Sequence, residues 1–521
     1  MAVVRIVAAC VLFWLASAAA GGELRRQLLA EPESLDPQLI TGETDFDVVE
    51  DLFEGLTAQG PDGNPVPGAA VGWETSADRL SWTFHLRPGL AWSDGAKLTA
   101  ADFVWAMRRA VDPATASPYA AALAPFANAR EIIAGAARPE TLGVSAPDPA
   151  TVLIRLVEPT PFLPGLLFQP VTYPLPQAAV ARWGRAWTRP GHMVSNGAFR
   201  LSQWTPQFEI VLEPNPSYHD RPPALPDRVR WILADDRKAG LRRFRAGELD
   251  TAALAAEDYS WAVANDKAEL HSTPLFATRY LVFNLANGPF AGDVRLREAL
   301  SRALDRDLLI GKLDTRGQRP AWGFIPPGLA GYHEQSLAYR NEPPETRAVT
   351  ARRLFAEARG ANTSPLRITL IAERNDVDDR LSAAIRAIWQ QALPVQVTLD
   401  RTEWQVFNAA FHRGDFEVAL FGWYADYADP WNFLANFRSD AGPLNPGAYR
   451  STAFDALLDR ARRGAEADRL TTLAEAERQL LADHPIAPLE FVVDQRLVAA
   501  RVHGWTAEPF NMNLSRYLSA E

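Results

Sequence analysis

Between Leu366 and Trp423 the apolar positions switch repeatedly between a period of two and a period near 3.6. The pattern predicts a strand from Leu366 to Ala372, a helix from Asp379 to Gln391, a strand from Val395 to Leu399, a helix from Glu403 to Arg413 and a strand from Phe416 to Phe421. Strands alternating with helices of this length predict parallel βαβ units, and ligands gather beyond the carboxyl ends of such strands. There the chain reads GWYADYADPW. Gly422 is expected to open the backbone into a loop holding Trp423, Tyr424, Tyr427 and Trp431, with Asp426 among them.

A carboxylate in apolar surroundings is costly unless a cation or several hydrogen bonds meet it, so Asp426 reads as a receptacle for a positive group. The alternative is a turn residue bonding its own backbone. Asp429 followed by Pro430 reads instead as a helix N-cap with proline at the first helical position.

Nearer the start, EPESLDPQLITGETDFDVVEDLFEGL predicts a short strand, a proline-punctuated turn and a helix from Thr44 to Phe53. SWTFHLRPGLAWSDGAKLTAADF alternates like strands around Ser93-Asp94-Gly95. Thr99 and Asp102 then form a capping box for a helix that buries Phe103, Val104, Met107 and Ala110 and stops before Asp112-Pro113.

With 521 residues, the chain exceeds one hydrophobic core, so two or three domains are expected. An apolar run from Ile6 to Leu15, then Ala16-Ser17-Ala18-Ala19-Ala20, reads as a secretory signal peptide over residues 1–20, cut after Ala20. Cys10, the one cysteine, leaves with it, so the exported chain has no disulfide, thiol nucleophile or cysteine metal site. Loss of Arg5 takes the formal charge from −10 to −11. A net acidic chain without a basic block argues against nucleic acid as a partner. The eight histidines have no ligand spacing, and no Gly-x-Ser-x-Gly elbow, His-Glu-x-x-His pair or phosphate loop occurs. No cofactor, metal or catalytic residue is therefore expected. The 16 tryptophans suit an aromatic-lined cleft as well as a core.

The run EPESLDPQLI, DLFEGL, SWTFHLRPGLAWSDGAKLTAADFVWAMRRAVDPATASPYA, GHMVSNGAFRLSQW, VLEPNPSYHD, FRAGELD, VRLREALSRALDRDLLI, GWYADYADP and YRSTAFDALL resembles the periplasmic oligopeptide-binding proteins of ABC importers, of solute-binding protein family 5. The resemblance covers nearly the whole chain after the signal. It implies an α/β fold of two lobes around a hinge, a Venus-flytrap of mixed sheets flanked by helices, with an additional inserted domain. Domain I would comprise residues 21–57, 187–273 and 490–521, domain II 58–186, and domain III 274–489. It further implies a monomer that captures oligopeptides or peptide-like solutes, delivers them to an ABC permease with its ATPase subunits, and catalyses nothing.

By the same resemblance, Asp426 receives a peptide's α-ammonium, Trp423 and Trp404 wall side-chain pockets beside Gly422, Tyr119 faces the ligand from the inserted domain, and Asn445 adds a polar contact. Positions that take a ligand's carboxylate with a cation in the family read Leu420, Asp378 and Asp314 here. A cysteine pair of some members reads Ala277 and Tyr424. Ala253 and Leu254 stand where bulkier or polar residues are usual, which suggests a wider pocket. A cleft that keeps Asp426 and turns two cationic positions acidic should disfavour a compact ligand ending in a carboxylate. Cationic, end-blocked or longer ligands are the expectation, unless Arg374, Arg380 or His412 restores a cation. The alternatives are the same fold holding a muropeptide, metal chelate, sugar or opine-like solute, and an exported hydrolase acting on peptides or glycans.

Overall fold

The computed structural model describes residues 22–521 apart from 41–42, 223–224, 314–315 and 465. The expected signal segment with Cys10, and the position Asp314, lie outside the described residues. Two strands organise the rest: Leu270–Phe283, 14 residues long, and Ile486–Val498, 13 residues long. Both are more than twice the usual strand length of about 5–6 residues. They pair antiparallel from Leu270 opposite Leu497 to Val282 opposite Ile486.

At one end, Arg496 to Val498 pairs with Thr251–Ala253, and the sheet continues through Glu23–Leu28, Arg228–Leu233, Glu209–Pro214 and Phe199–Thr205. At the other, Ala277 to Phe283 pairs with Val418–Tyr424, followed by Leu366–Glu373 and Val395–Thr402. The molecule is thus a two-lobed α/β fold whose lobes share one mixed sheet, joined through two crossing strands. The ladder between them lapses from Pro274 to Thr278, where the first strand carries two more residues than its partner. Pro274 has no N–H to give, which suits a break in pairing.

The expected parallel units are present. Leu366–Glu373 lies parallel to both Val395–Thr402 and Val418–Tyr424, with helices Asp376–Ala392 and Trp404–Arg413 between them in sequence. Their apolar stripes bury Leu381, Ile385 and Trp389 on one side of the sheet and Phe407 and Phe411 on the other. One expectation is corrected: the last strand does not end at Gly422. It begins at Val418 and runs to Tyr424, with Gly422 opposite Arg279 and Tyr424 opposite Ala277, because the long crossing strand supplies pairing partners that local pattern does not contain. Ala277 and Tyr424 are therefore direct cross-strand neighbours.

The inserted domain carries its own antiparallel sheet, in the order Ala70–Thr75, Ser81–Leu86, Thr151–Arg155 and Val144–Asp148. Helix Ala100–Val111 packs on it and buries Phe103, Val104, Met107 and Ala110 as expected. Its capping box forms too, the Asp102 carboxylate accepting the Thr99 N–H at 2.7 Å.

Trp389 anchors the outer helices of the second lobe: it is 0% exposed and donates its indole N–H to the Leu300 carbonyl at 2.9 Å. Trp389→Ala should lower the unfolding free energy by about 3–5 kcal/mol. Urea denaturation followed by far-UV circular dichroism measures this; a loss below about 1 kcal/mol would contradict the packing described.

Candidate functional site

The loop that follows Val418–Tyr424 is tied to the neck between the lobes, since the Ala425 N–H donates to the Phe276 carbonyl at 2.8 Å. Asp426 comes next. One carboxylate oxygen, Oδ2, accepts a hydrogen bond from Asn432 Nδ2 at 3.0 Å, while the Asp426 N–H donates to Asn432 Oδ1 at 3.2 Å. The Trp423 indole N–H donates to that same Oδ1 at 2.9 Å, so a single asparagine orients both residues. Asp426 Oδ1 accepts no hydrogen bond from any described residue. Burial pushes the carboxyl above its ordinary pKa of 3.8, with the Asn432 amide pulling the other way.

Three residues further on, the contrast is complete. Asp429 caps helix Pro430–Leu434 by accepting the Trp431 N–H at 2.8 Å, as expected, and its two oxygens take the Arg469 guanidinium at 2.7 and 2.8 Å. Asp429 is a satisfied structural acid, whereas Asp426 is held apolar and half-bonded. The turn reading of Asp426 is not what the geometry supports, because its side chain reaches Asn432 on the helix instead of closing on its own backbone.

The inserted domain lies against this loop. Phe162 stacks on Tyr427 at 4.9 Å between centroids and on Trp431 at 5.9 Å, each such pair contributing roughly 0.5–1.5 kcal/mol beyond its buried area. Gln169 donates its side-chain amide to the Asp426 carbonyl. A methyl group at Gly165 would stand 2.9 Å from the Tyr427 Cβ, so glycine is what permits this approach. The Arg462 and Glu158 side chains pair across the gap, and Arg79 Nη2 donates to the carbonyls of Arg463 and Gly464 at 2.9 and 2.8 Å. Tyr119 sits edge-on to Phe46 at 5.7 Å; burial, then the charges of Asp426 and Asp45, raise its phenol pKa. Asp426 of one lobe, Asp45 of the other and Tyr119 of the inserted domain therefore share one neighbourhood, with the lobes closed on each other.

Other sequence candidates are distributed differently. Leu420 is 1% exposed and packs in the core beneath the Asp376–Ala392 helix. Asp378, in the first turn of that helix, does not add a bare negative charge to the cleft: it pairs with Arg279 of the crossing strand. Arg279 also lies 3.4 Å from Glu490, which accepts Arg316 Nη2 at 3.1 and 3.2 Å. The expectation that Asp378 turns a cationic cleft position acidic is corrected by this neutralising arginine, 99 residues earlier in sequence. Trp404 and Tyr424 are exposed, Trp404 leaning on Phe407. Asn445 is not free to contact a ligand, since its amide donates to the carbonyls of Arg438 and Tyr449 and its oxygen accepts the Tyr449 N–H.

His412 bonds the Pro443 carbonyl near the far end of the strand, where Asn284 reaches Gly414, and restores no cation to the site. Arg374 pairs with Glu403 on the surface. Arg380 is felt by Glu257 of the other lobe, whose carboxyl is lowered chiefly by Lys238. Leu254 is packed in the core of the first lobe, and Ala253 is buried on the strand facing Arg496. Asn432, Phe162, Gln169 and Arg279 were missed. Only the proline-spaced apolar run around Phe162 hinted at a surface made to be covered; the other three carry no local signal. Among the described residues no three His, Cys, Asp or Glu side chains converge as a metal site.

A fold of two lobes closing over a carboxylate and an aromatic wall defines a binding protein of the clamshell class. The model of bacterial extracellular solute-binding proteins, family 5 (middle), matches residues 64–445, and the chain belongs to that family. It is 36% identical over 484 residues to the periplasmic oligopeptide-binding protein OppA of Escherichia coli (strain K12), covering 92% of this chain and 89% of that one. It is 33% identical over 487 residues to the periplasmic murein peptide-binding protein MppA of the same organism, covering 93% and 90%. Among solved structures it resembles Haemophilus influenzae OppA in complex with RPPGFSPFR, with a TM-score of 0.81, 31% identity and coverage of 96% and 98%.

Because Asn432 supplies the hydrogen bond that opposes burial, Asn432→Ala should move the Asp426 carboxyl still further above its ordinary pKa. A carbon-13 NMR titration of Asp426 in both proteins reads the shift; an unchanged or lower value would remove the amide from the electrostatics of the site.

Proposed function

We propose that this protein is an exported periplasmic receptor that captures oligopeptides or peptide-like solutes between its lobes and hands them to an ABC permease. The observation that carries the reading is Asp426: partly buried beside Trp423 and Tyr119, with its pKa raised and one oxygen without a donor among the described residues. An α-ammonium supplies both the missing charge and the missing hydrogen bonds. Closure follows from the ligand's better fit to the closed form, which the permease recognises. ATP hydrolysis belongs to partner subunits, the receptor acts as a monomer, and no reaction is catalysed by this chain.

Domain I then comprises residues 21–57, 187–273 and 490–521, domain II residues 58–186, and domain III residues 274–489. The hinge is the lapse in pairing from Pro274 to Thr278. The relatives named for peptide binding support the peptide reading. Among the described residues no helix is long and apolar enough to cross a membrane.

Mass spectrometry of whatever is released on denaturing the protein purified from a periplasm tests the ligand class. Free-amino peptides of mixed sequence are expected, and a single non-peptide solute would overturn the assignment. Asp426→Asn should weaken free-amino peptides more than about a hundredfold in calorimetry, since losing one partner of a desolvated pair costs on the order of 3–5 kcal/mol. Unchanged affinity would take Asp426 out of the site.

The sign of the pH dependence follows from the raised pKa. The ionised carboxylate binds the ammonium, so affinity falls as pH drops through a value above 3.8, by roughly tenfold per unit below it. Asp426→Asn should lack this acid limb.

A further inference from the structure

Arg279 stands on the crossing strand directly opposite Gly422, and its Cγ would lie 3.4 Å from a Cβ at that glycine. Gly422 precedes Asp426 by four residues, so their Cα atoms are roughly 13 Å apart at most, taking about 3.3 Å per strand residue. An extended tri- or tetrapeptide places its two ends roughly 7–10 Å apart on the same scale. Arg279 is thus a cation within reach of the carboxylate end of a short peptide whose amino end lies at Asp426.

That cation already has a carboxylate. Asp378, held in the first turn of its helix by the Asn375 cap, pairs with Arg279, and the two side chains are 7% and 14% exposed. Glu490, 0% exposed, lies beside Arg279 on one side and takes Arg316 on the other. Arg279 and Arg316 with Asp378 and Glu490 thus form a largely desolvated ion-pair network near the carboxyl end of strand Leu366–Glu373. Glu373, the last residue of that strand, has its pKa raised by burial and then lowered in part by Asn375 and Arg279. A third carboxylate entering this network finds no unmatched positive charge, and displacing Asp378 leaves a buried anion without a partner.

Resting on the peptide reading above, we infer that Asp378 is a specificity-determining residue: it fills, from within the protein, the place at Arg279 that a short peptide's terminal carboxylate would take. The receptor therefore reads the amino end of its ligand and is indifferent to whether the carboxyl end is free or amidated. Removing the Asp378 charge opens Arg279 to the ligand and creates the missing preference.

The test is calorimetry with trialanine and tetra-alanine, each as the free acid and as the C-terminal amide, on the full exported protein. For the unaltered protein, acid and amide should bind within about threefold of each other. Asp378→Asn should favour the acid of at least one length by about tenfold or more, and the double variant Asp378→Asn, Arg279→Gln should return to within about threefold. A tenfold preference for the acid in the unaltered protein, or an unaltered ratio in Asp378→Asn, would overturn the inference while leaving the peptide reading intact. The first comparison decides the matter even if the variant does not fold. Binding of neither form to the unaltered protein would overturn this inference, while the peptide reading is decided separately by the solutes released from the purified protein.

Discussion

The antiparallel pairing of Leu270–Phe283 with Ile486–Val498 is the constraint on which the molecule depends. Buried backbone N–H and C=O groups must find partners, and in the gap from Pro274 to Thr278 the ladder cannot supply them all. Phe276 finds them elsewhere. Its N–H donates to the Pro509 carbonyl of the C-terminal segment at 3.0 Å, and its carbonyl accepts the Ala425 N–H at 2.8 Å. The irregular neck between the lobes is therefore the same backbone that fixes the start of the Asp426 loop. A change in the neck is therefore felt directly at the loop that carries Asp426.

The two acids of the loop illustrate how environment separates structure from function. Asp429 has a helix N-terminus and a bidentate arginine, and its charge is fully matched. Asp426 has one amide for a partner and a raised pKa, the condition of a group whose counterpart comes from outside. The Arg279, Asp378, Glu490 and Arg316 network is the opposite case, a set of charges matched within the protein. The two environments differ in whether the protein itself supplies the opposite charge. The aromatic contacts of Phe162 with Tyr427 and Trp431 close the space over the first end without adding a charge.

Much of this was legible in the sequence. Periodicity alone gave the alternating strands and helices of the second lobe, because side chains on a half-buried strand or helix must repeat with the backbone. The caps at Thr99 and Asp429 were equally plain, since capping is a contest among neighbours in the chain. The motif-rich resemblance carried the two-lobed architecture, and it offered Asp426, Trp423 and Tyr119 as candidates. Reading by position failed where a side chain's partner lies far away in sequence. Asn445 proved bound to its own loop, His412 stands at the far end of its helix, and Asp378 is neutralised by Arg279.

The sequence by itself determined the alternating strands and helices of the second lobe and marked Asp426 as an acid among aromatics, because these depend on local sterics and on the order of residues, although the short strand expected in EPESLDPQLI is irregular backbone in the structure. Only the tertiary structure decided where the last strand ends, which lobe covers the loop, and whether Asp378 counts as a charge in the cleft. Each of those turns on a partner brought in by the fold: Ala277 opposite Tyr424, Phe162 on Tyr427, Arg279 beside Asp378. Coulombic and packing energies fall off with distance in space, and distance along the chain does not encode it.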